Sequence, residues 1–393
     1  MRLTINPDTF MWADENSLLI YDSQKYLSFQ FKLTLALKEV YNELMKLDNL
    51  YSIAIDDISI DSETEYFIKV VTDYELGFLS DGINYSSAIS YSPVLNLQNS
   101  WTRVCALGNQ SQTNILPYLT SITIYLGGEC PETEYHRQTK YPMNTEQSLS
   151  WDRVLAFVAS VVSPYLTEIS LVFSSIMNYP HIEHLINGLK KYGLIVTVFI
   201  RAEENVNEWL LDEILSLGIK IGILHTSPFV VYRYKNHGIK HYFLIESDQD
   251  YLIAEKYFCL GNGIYSEEFI PVFNGSNRDF FINRVFLSKQ EILNSCLKRR
   301  EVFAHMVMNT NAFGNLYVRP NGMVYASPSA TVSVGSIEDS IYTLILKEME
   351  LNTAWRKTRE SAYKCNKCIY KYLCPSPTTY EDIMGLECIC QDI

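Results

Sequence analysis

The chain has 393 residues, of which 47% are apolar and 20% charged, and its formal net charge at pH 7 is −13. This is the composition of a globular protein with a substantial core, and the length indicates two or three domains. The acidic balance argues against binding to nucleic acid or an anionic membrane, and the aromatic content excludes disorder. No apolar run approaches the roughly 20 residues that span a bilayer. The first residues lack the layout of a secretory signal, so we expect a cytoplasmic protein.

Residues 1–80 predict a separate unit. Short runs of aromatic and branched residues predict strands at Thr9–Ala13, Ser17–Asp22 and Tyr26–Phe31. Apolar residues at helical spacing then predict a helix from about Leu37 to Leu47 and a second one over Ser62–Tyr74, with Gly77 ending it. Strands followed by helices in this order are typical of a small winged-helix domain. The acidic charge argues against its use on DNA.

Residues 81–113 are polar and predict a linker. From residue 114 to residue 310, strands alternate with helices. The predicted strands are Ser121–Leu126, Glu168–Ser174, Leu194–Ile200, Lys220–Leu224, His241–Ile245 and a segment near Phe269–Phe273. Such alternation predicts an α/β fold with a parallel sheet and right-handed crossovers. Six units predict an open, partial (β/α)6 barrel.

Residues 311–393 predict a third folded unit, which begins with a β-hairpin around Pro320-Asn321-Gly322. It ends in five of the nine cysteines, which are Cys365, Cys368, Cys374, Cys388 and Cys390. Thiolates in a Cys-x2-Cys-x5-Cys run can bind a metal from a tight turn, and their crowding in one tail favours a metal over disulfides. The spacing leaves an iron–sulfur cluster and a structural Zn²⁺ both open. It also leaves the last ligand open, and we rank Cys390 before Cys388.

The tail KCNKCIYKYLC, the hairpin LYVRPNGMVY, Gly335 and the Trp355-Arg356 pair resemble the SPASM domain. That domain follows the partial barrel of radical SAM enzymes that modify ribosomally made peptides (RiPPs). The resemblance implies one auxiliary [4Fe–4S] cluster held by the first three tail cysteines and one of the last two, with Zn²⁺ as the alternative. A second auxiliary cluster is not expected, because Ala326, Ser327 and Thr378 stand where its cysteines would be.

The predicted barrel departs from the radical SAM pattern. Those enzymes carry Cys-x3-Cys-x2-Cys after the first strand, whereas here Cys130 is followed at the next two ligand positions by Glu134 and Arg137. One thiolate cannot hold such a cluster, so S-adenosylmethionine is not expected as a cofactor. The Gly-Gly-Glu expected after the second strand is replaced by Ser174-Ser175-Ile176. The same tripeptide at Gly127–Glu129 follows the first strand, and we interpret it as coincidence.

The N-terminal unit resembles the RiPP recognition element, a PqqD-like module that captures the leader of a precursor peptide. In that family the leader adds as a strand to a sheet edge and packs against the last helix. An ordinary extension of the barrel is the alternative. The resemblance assigns peptide binding to Tyr26, Leu27, Ser28, Phe29, Phe31, Tyr66, Lys69, Val70 and Asp73.

As a whole, the chain is similar to the pseudo-radical-SAM, SPASM-type proteins of Bacteroidales-type RiPP systems. This implies a catalytically inactive protein that retains one cluster and binds a precursor peptide, an active radical SAM maturase as a heterodimer, or both. The alternative is a peptide-modifying enzyme that is redox-active at the C-terminal cluster or uses S-adenosylmethionine atypically. The sequence offers no base, nucleophile or open metal position to support that alternative.

Overall fold

A computed structural model describes residues 1–56, 60–81, 115–131, 133–226, 238–260 and 266–390. Almost all of the predicted linker, residues 81–113, lies outside the described residues. Within the described ranges, no helix combines the length and apolar character needed to cross a bilayer.

The N-terminal unit contains two three-stranded antiparallel sheets, in the orders β5–β1–β6 and β2–β3–β4, and two helices. Its elements are β1 (Arg2–Ile5), β2 (Thr9–Ala13), β3 (Ser17–Asp22), β4 (Leu27–Lys32), α1 (Leu35–Met45), β5 (Ser52–Ala54), α2 (Ser62–Asp73) and β6 (Gly77–Ser80). The three predicted strands and both helices are present. Gly77 does not end the second helix, because α2 has its C-cap at Tyr74 and Gly77 begins a strand.

Local sequence explains where the two helices begin. The Thr34 side chain accepts the Leu37 N–H at 3.2 Å, and the Asp61 side chain accepts the Thr64 N–H at 2.9 Å. Both side chains therefore satisfy amides that a helix start leaves unpaired. One face of β2–β3–β4 packs against these helices, and Phe67 of α2 is fully buried there.

A ten-stranded sheet forms the centre of the molecule. Its first part comprises β7 (Ser121–Gly128), β8 (Thr145–Ser148), α3 (Trp151–Val161), β9 (Glu168–Phe173), α4 (Ile182–Lys190), β10 (Ile195–Arg201), α5 (Glu208–Ser216), β11 (Lys220–His225), β12 (Ile239–Ile245), α6 (Asp248–Leu260) and β13 (Ser266–Pro271). Strands β7 and β9–β13 are parallel and adjacent in chain order. The prediction of an α/β fold with a parallel sheet is therefore confirmed.

The two faces of this sheet have different partners because side chains alternate along each strand. Ile124, Leu171 and Val198 belong to the cluster shared with the helices. Tyr125 and Phe199 belong to a second, aromatic-rich cluster on the opposite face, which we call the inner face.

The C-terminal segment continues the same sheet. Its elements are α7 (Arg278–Arg284), α8 (Lys289–Leu293), α9 (Arg299–Val307), β14 (Asn315–Val318), β15 (Met323–Tyr325), β16 (Gly335–Ser336), α10 (Ile341–Leu351) and α11 (Thr379–Met384). Strands β14 and β15 form the predicted hairpin, and β14 pairs in parallel with β7. The sheet thus crosses the domain boundary that we predicted at residue 310.

The second face of the β2–β3–β4 sheet packs against the C-terminal segment. The rings of Trp12 and Tyr372 lie 5.6 Å apart, and those of Phe10 and Phe303 lie 5.3 Å apart. Strands β2 and β3 and the cysteine-rich tail share one hydrophobic cluster, which includes Cys374. The N-terminal unit is therefore joined to the tail through a common core.

Candidate functional site

The first three tail cysteines lie in a series of tight turns over residues 362–374, which we call the cysteine loop. The Cys365 N–H donates to the Ala362 carbonyl at 3.0 Å, and the Cys368 N–H donates to the Cys365 carbonyl at 2.9 Å. The Cys374 N–H donates to the Tyr370 carbonyl, also at 2.9 Å. In an extended chain these three cysteines would lie far apart, and the turns bring them close together.

The last two cysteines return to this loop from the end of the chain. The Cys365 thiol donates to the Glu387 carbonyl at 3.2 Å, which places it beside Cys388, and the Cys388 sulfur accepts the Cys390 N–H at 3.3 Å. Cys365 and Cys374 are buried, whereas Cys368, Cys388 and Cys390 are half-buried. The structure therefore brings together all five cysteines that the sequence singles out.

The thiols differ in acidity because their surroundings differ. The neighbouring Cys365 thiol lowers the pKa of Cys388 to about 6, and the presence of Cys388 raises the pKa of Cys365. Burial raises the pKa of Cys374 to about 12 and also raises that of Cys368. Deprotonating several of these thiols together therefore requires a compensating positive charge.

A buried ion pair lies directly beside the thiols. The Arg359 Nη2 atom donates to Glu381 Oε2 at 3.0 Å, and the side chains are 2% and 3% exposed. The guanidinium favours the thiolate form of Cys365, Cys374 and Cys388, although other causes outweigh it at Cys365 and Cys374, whose pKa values are raised overall. No local motif marks Arg359 in the sequence, because its burial depends on the fold.

The donor set fits a thiolate-bound group by its chemistry. Four or five thiols in one neighbourhood with a buried cation are the environment in which iron–sulfur clusters and structural zinc are held. A cavity of about 120 Å³ adjoins Cys388 and Cys390. Among the residues that the structure describes, no three His, Cys, Asp or Glu side chains are already arranged as a metal site.

Hydrogen bonds occupy the positions where a second auxiliary cluster would need cysteines. The Ser327 and Ser329 hydroxyls lie 2.8 Å apart, and Ser329 donates to Asp382 at 2.9 Å. The Thr378 hydroxyl and N–H both donate to Glu381 at 2.8 Å, which forms a capping box at the start of α11. These side chains stabilise the segment without thiolates.

Cys130, the lone cysteine after β7, is held by its own loop. Its N–H donates to Asn144 Oδ1 at 3.2 Å, and burial raises the pKa of its thiol. At the following ligand positions, Glu134 and Arg137 form an ion pair at 3.1 Å. Those two side chains satisfy each other.

The rest of this loop, residues 133–143, lies across the inner face of the sheet. Gln138 exchanges two 2.7 Å hydrogen bonds with the backbone of Phe273, beyond the end of β13. The Lys140 ammonium donates to Ser170 Oγ at 2.9 Å on the inner face. The loop thus spans the inner face from β9 to the segment after β13.

A cavity of about 570 Å³ remains between the inner face, this loop and the C-terminal segment. Its lining includes Lys140, Phe199, Tyr242, Tyr317 and Tyr380. Arg201 and His225, the last residues of β10 and β11, are not among the lining residues. His225 instead contacts buried His241, with a 2.9 Å separation of ring nitrogens.

Strand β4 is an edge strand of its sheet over the described residues. The Leu33 N–H donates to the Asn16 carbonyl across the sheet, whereas the Lys32 N–H donates outward to the Glu63 carboxylate at 2.9 Å. Because the two sides of a strand alternate, the N–H groups of Ser28 and Gln30 also point outward. The edge therefore offers two further amides to an added strand.

Helix α2 runs alongside this edge. Glu63 near its start reaches Lys32 at the end of β4, while the ring of Tyr74 lies 4.6 Å from that of Phe29. Between them, the rings of Tyr66 and Phe31 lie 5.6 Å apart. The strand edge and the aromatic residues of α2 therefore border the same surface of the unit.

The nine predicted peptide-binding residues divide by exposure. Phe31 and Val70 are buried in the core of the unit. The other seven, which are Tyr26, Leu27, Ser28, Phe29, Tyr66, Lys69 and Asp73, are half-buried or exposed. Two further residues of this region, Gln30 on β4 and Glu63 on α2, are not among the predicted peptide-binding residues.

Comparison with solved structures finds remote likenesses. Streptococcus suis SuiB bound to precursor peptide SuiA matches with 11% identity and a TM-score of 0.42, over 99% of this chain and 98% of that chain. SuiB bound to S-adenosylmethionine gives 11% and 0.40, over 98% and 97%. The protein anSMEcpe with bound AdoMet gives 13% and 0.45, over 65% of this chain and 88% of that chain. No family model and no curated protein matches. Likenesses of this size do not assign the chain to a family.

Proposed function

We propose that this protein is a non-catalytic peptide-binding partner in the maturation of a ribosomally made peptide. The outward edge of β4, bordered by α2, is the single observation that carries the proposal. Main-chain hydrogen bonds to Ser28 and Gln30 provide affinity for an extended peptide, and the neighbouring aromatic rings provide contacts for its side chains.

The register of the bound strand follows from Glu63. Because its carboxylate already accepts the Lys32 N–H, a peptide strand pairs with the earlier part of β4 and ends before Lys32. Tyr66 and Tyr74 are 52% and 46% exposed, so they contact the peptide from the helix side. We therefore expect an extended segment with apolar side chains on that side.

The cysteine loop holds one thiolate-bound [4Fe–4S] cluster in this proposal, with Zn²⁺ as the alternative. Cys365, Cys368 and Cys374 supply three ligands. The contact between Cys388 and Cys365 favours Cys388 as the fourth, in place of the order that puts Cys390 first. Such a group would cross-link the end of the chain to the cysteine loop and so stabilise the fold.

Loss of radical chemistry is supported by the loop after β7. Cys130 is the only cysteine in the sequence from residue 129 to residue 143. The ion pair of Glu134 and Arg137 occupies the next two ligand positions. An active radical SAM maturase is then required as a partner, and we propose that it forms a heterodimer with this chain.

Peptide binding is tested with synthetic peptides from short open reading frames that neighbour the gene of this chain. A labelled peptide should bind with micromolar affinity, measured by fluorescence anisotropy. Ser28→Pro removes one outward N–H and should weaken binding at least about tenfold, whereas Ser28→Ala keeps the amide and should bind normally. Equal binding by both variants would place the peptide elsewhere.

Absence of chemistry is tested separately. Anaerobically reconstituted and reduced protein should not cleave S-adenosylmethionine, as measured by release of 5′-deoxyadenosine. Cleavage would refute the pseudoenzyme part of the proposal. The maturase encoded beside it should co-elute with this chain in size-exclusion chromatography, and separate elution would argue against a stable heterodimer.

A further inference from the structure

Strand β4 and the cysteine loop are joined by one hydrogen bond. The Tyr370 hydroxyl donates to Gln30 Oε1 at 2.7 Å, across 340 residues of chain. Gln30 is also one of the two residues of β4, with Ser28, whose outward N–H is offered to an added strand. A side chain from the cysteine loop therefore positions the centre of the proposed peptide-binding edge.

The backbone of Tyr370 is in turn held by the turn that contains Cys368 and Cys374. The Tyr370 carbonyl accepts the Leu373 N–H and the Cys374 N–H, both at 2.9 Å, and the Cys368 carbonyl accepts the Lys371 N–H at 3.3 Å. Tyr370 is only 9% exposed, so its ring has little freedom. Any group bound by Cys368 and Cys374 would hold the turn on both sides of Tyr370 at once.

The surrounding contacts transmit the same constraint. The Tyr21 hydroxyl on β3 donates to the Leu297 carbonyl at 2.7 Å, and Trp12 on β2 packs against Tyr372 of the cysteine loop. The sheet that carries β4 thus uses the cysteine loop as part of its supporting surface. A rearrangement of the cysteine loop must change the packing of the sheet, because packed interfaces have few alternative arrangements.

We propose that a metal group bound by the cysteine loop orders strand β4 through the Tyr370–Gln30 hydrogen bond, and so raises the affinity of the β4 edge for a peptide strand. This inference rests on the proposed function, since it couples the peptide-binding edge of β4 to the metal site of the cysteine loop. By linkage, a peptide bound at β4 raises the affinity of the loop for the metal by the same factor. The protein then captures its peptide best in the loaded state.

The test uses the full chain and the metal alone, without any peptide. Hydrogen exchange of the segment 27–32 is measured by mass spectrometry in metal-free protein and after anaerobic reconstitution with iron and sulfide. Loading should slow exchange in this segment by about fivefold, which is the size expected when one hydrogen bond that otherwise opens transiently is kept closed. Tyr370→Phe should lose most of this slowing while it retains the iron content of the unmodified chain.

Two further variants control the result. Tyr363→Phe changes a tyrosine of the same loop that is 83% exposed, and it should behave like the unmodified chain. Gln30→Leu removes the acceptor from the other side and should reproduce the effect of Tyr370→Phe. A loaded chain with unchanged exchange in β4 would overturn this inference alone. A chain that takes up no metal would overturn it together with the cluster part of the proposed function, while peptide binding stays open to its own test.

Discussion

The guanidinium of Arg359 pairs with the carboxylate of Glu381 inside the protein, directly behind the thiols of Cys365 and Cys374. Four further hydrogen bonds tie the two side chains to the segment that follows the cysteine loop. Arg359 donates to the carbonyls of Pro375 and Ser376, and Glu381 accepts both donors of Thr378. The pair therefore links the segment before the cysteine loop to α11, which follows the loop.

Breaking this pair should destabilise the protein strongly. Arg359→Met leaves the Glu381 carboxylate buried without its counter-charge, and it should lower the free energy of unfolding by roughly 3–5 kcal/mol. The measurement is denaturation by guanidinium chloride. Arg153→Met is the matched control, because Arg153 pairs with the exposed Glu338 and its loss should cost less than about 1 kcal/mol. Adding Glu381→Gln to Arg359→Met should recover part of the loss, and no recovery would contradict the explanation by unpaired charge.

Metal content should depend on the cysteine loop. Anaerobically purified protein should contain about four irons with matching acid-labile sulfide, and Cys374→Ser should lose most of both. Cys296→Ser is the control, because that exposed cysteine lies outside the loop. About one zinc and no iron would replace the cluster by a structural zinc site, and about eight irons would mean that a second cluster is bound.

The fourth ligand can be identified in the same assay. Cys388→Ser should lower the iron content more than Cys390→Ser, since the Cys388 sulfur contacts Cys365 whereas Cys390 contributes its N–H to that sulfur. A greater loss with Cys390→Ser would restore the ranking derived from spacing. Equal and complete loss in both variants would mean that the two cysteines act together.

The glycines at the end of β7 should matter for folding and not for cofactor binding. Gly127 has φ +80°, and a Cβ there would lie 2.1 Å from the Gln147 carbonyl oxygen and 2.8 Å from Pro320. Gly127→Ala should therefore cost about 3 kcal/mol or more. Gly193→Ala is the control: φ is +66° but no atom lies within 4 Å, so the cost should be about 1 kcal/mol. Equal costs would contradict the steric explanation.

Stability should fall below neutral pH because of His225. Burial and the neighbouring His241 lower the pKa of His225 to about 3 in the folded chain. The unfolded chain, with an ordinary pKa near 6.5, then binds a proton that the folded chain does not. The free energy of unfolding should fall by up to about 1.4 kcal/mol per pH unit as the pH drops from about 6.5 towards 3.

This slope is checked by chemical denaturation at pH 7 and pH 5. His225→Asn should remove about 2 kcal/mol of the difference between the two pH values. His184→Asn, which changes an exposed histidine on α4, should leave the difference as it is. A His225→Asn chain with the original pH dependence would assign the effect to other groups.

Local patterns predicted the elements whose signal is local. Strands β2 and β3 are short runs of aromatic and branched residues, so the predicted bounds agree with those in the structure. Strand β1 was missed because its four residues become a strand only by pairing with β5 and β6, which are distant in sequence. Similarly, Cys-x2-Cys-x5-Cys is visible in a sequence, whereas no pattern joins Gln30 to Tyr370 or marks Arg359 as buried.

The parallel pairing of β14 with β7 has a consequence for synthesis of the chain. Strand β7 is the first strand of the central sheet to leave the ribosome, yet its neighbour β14 is made only after all the other parallel strands. Until then, the part of β7 that pairs with β14, Ser121–Ile124, lacks this neighbour, which is the condition under which nascent sheets associate with other chains. A ribosome-bound or truncated chain that ends before Asn315 should therefore depend on chaperones, and the final C-terminal hairpin should release it.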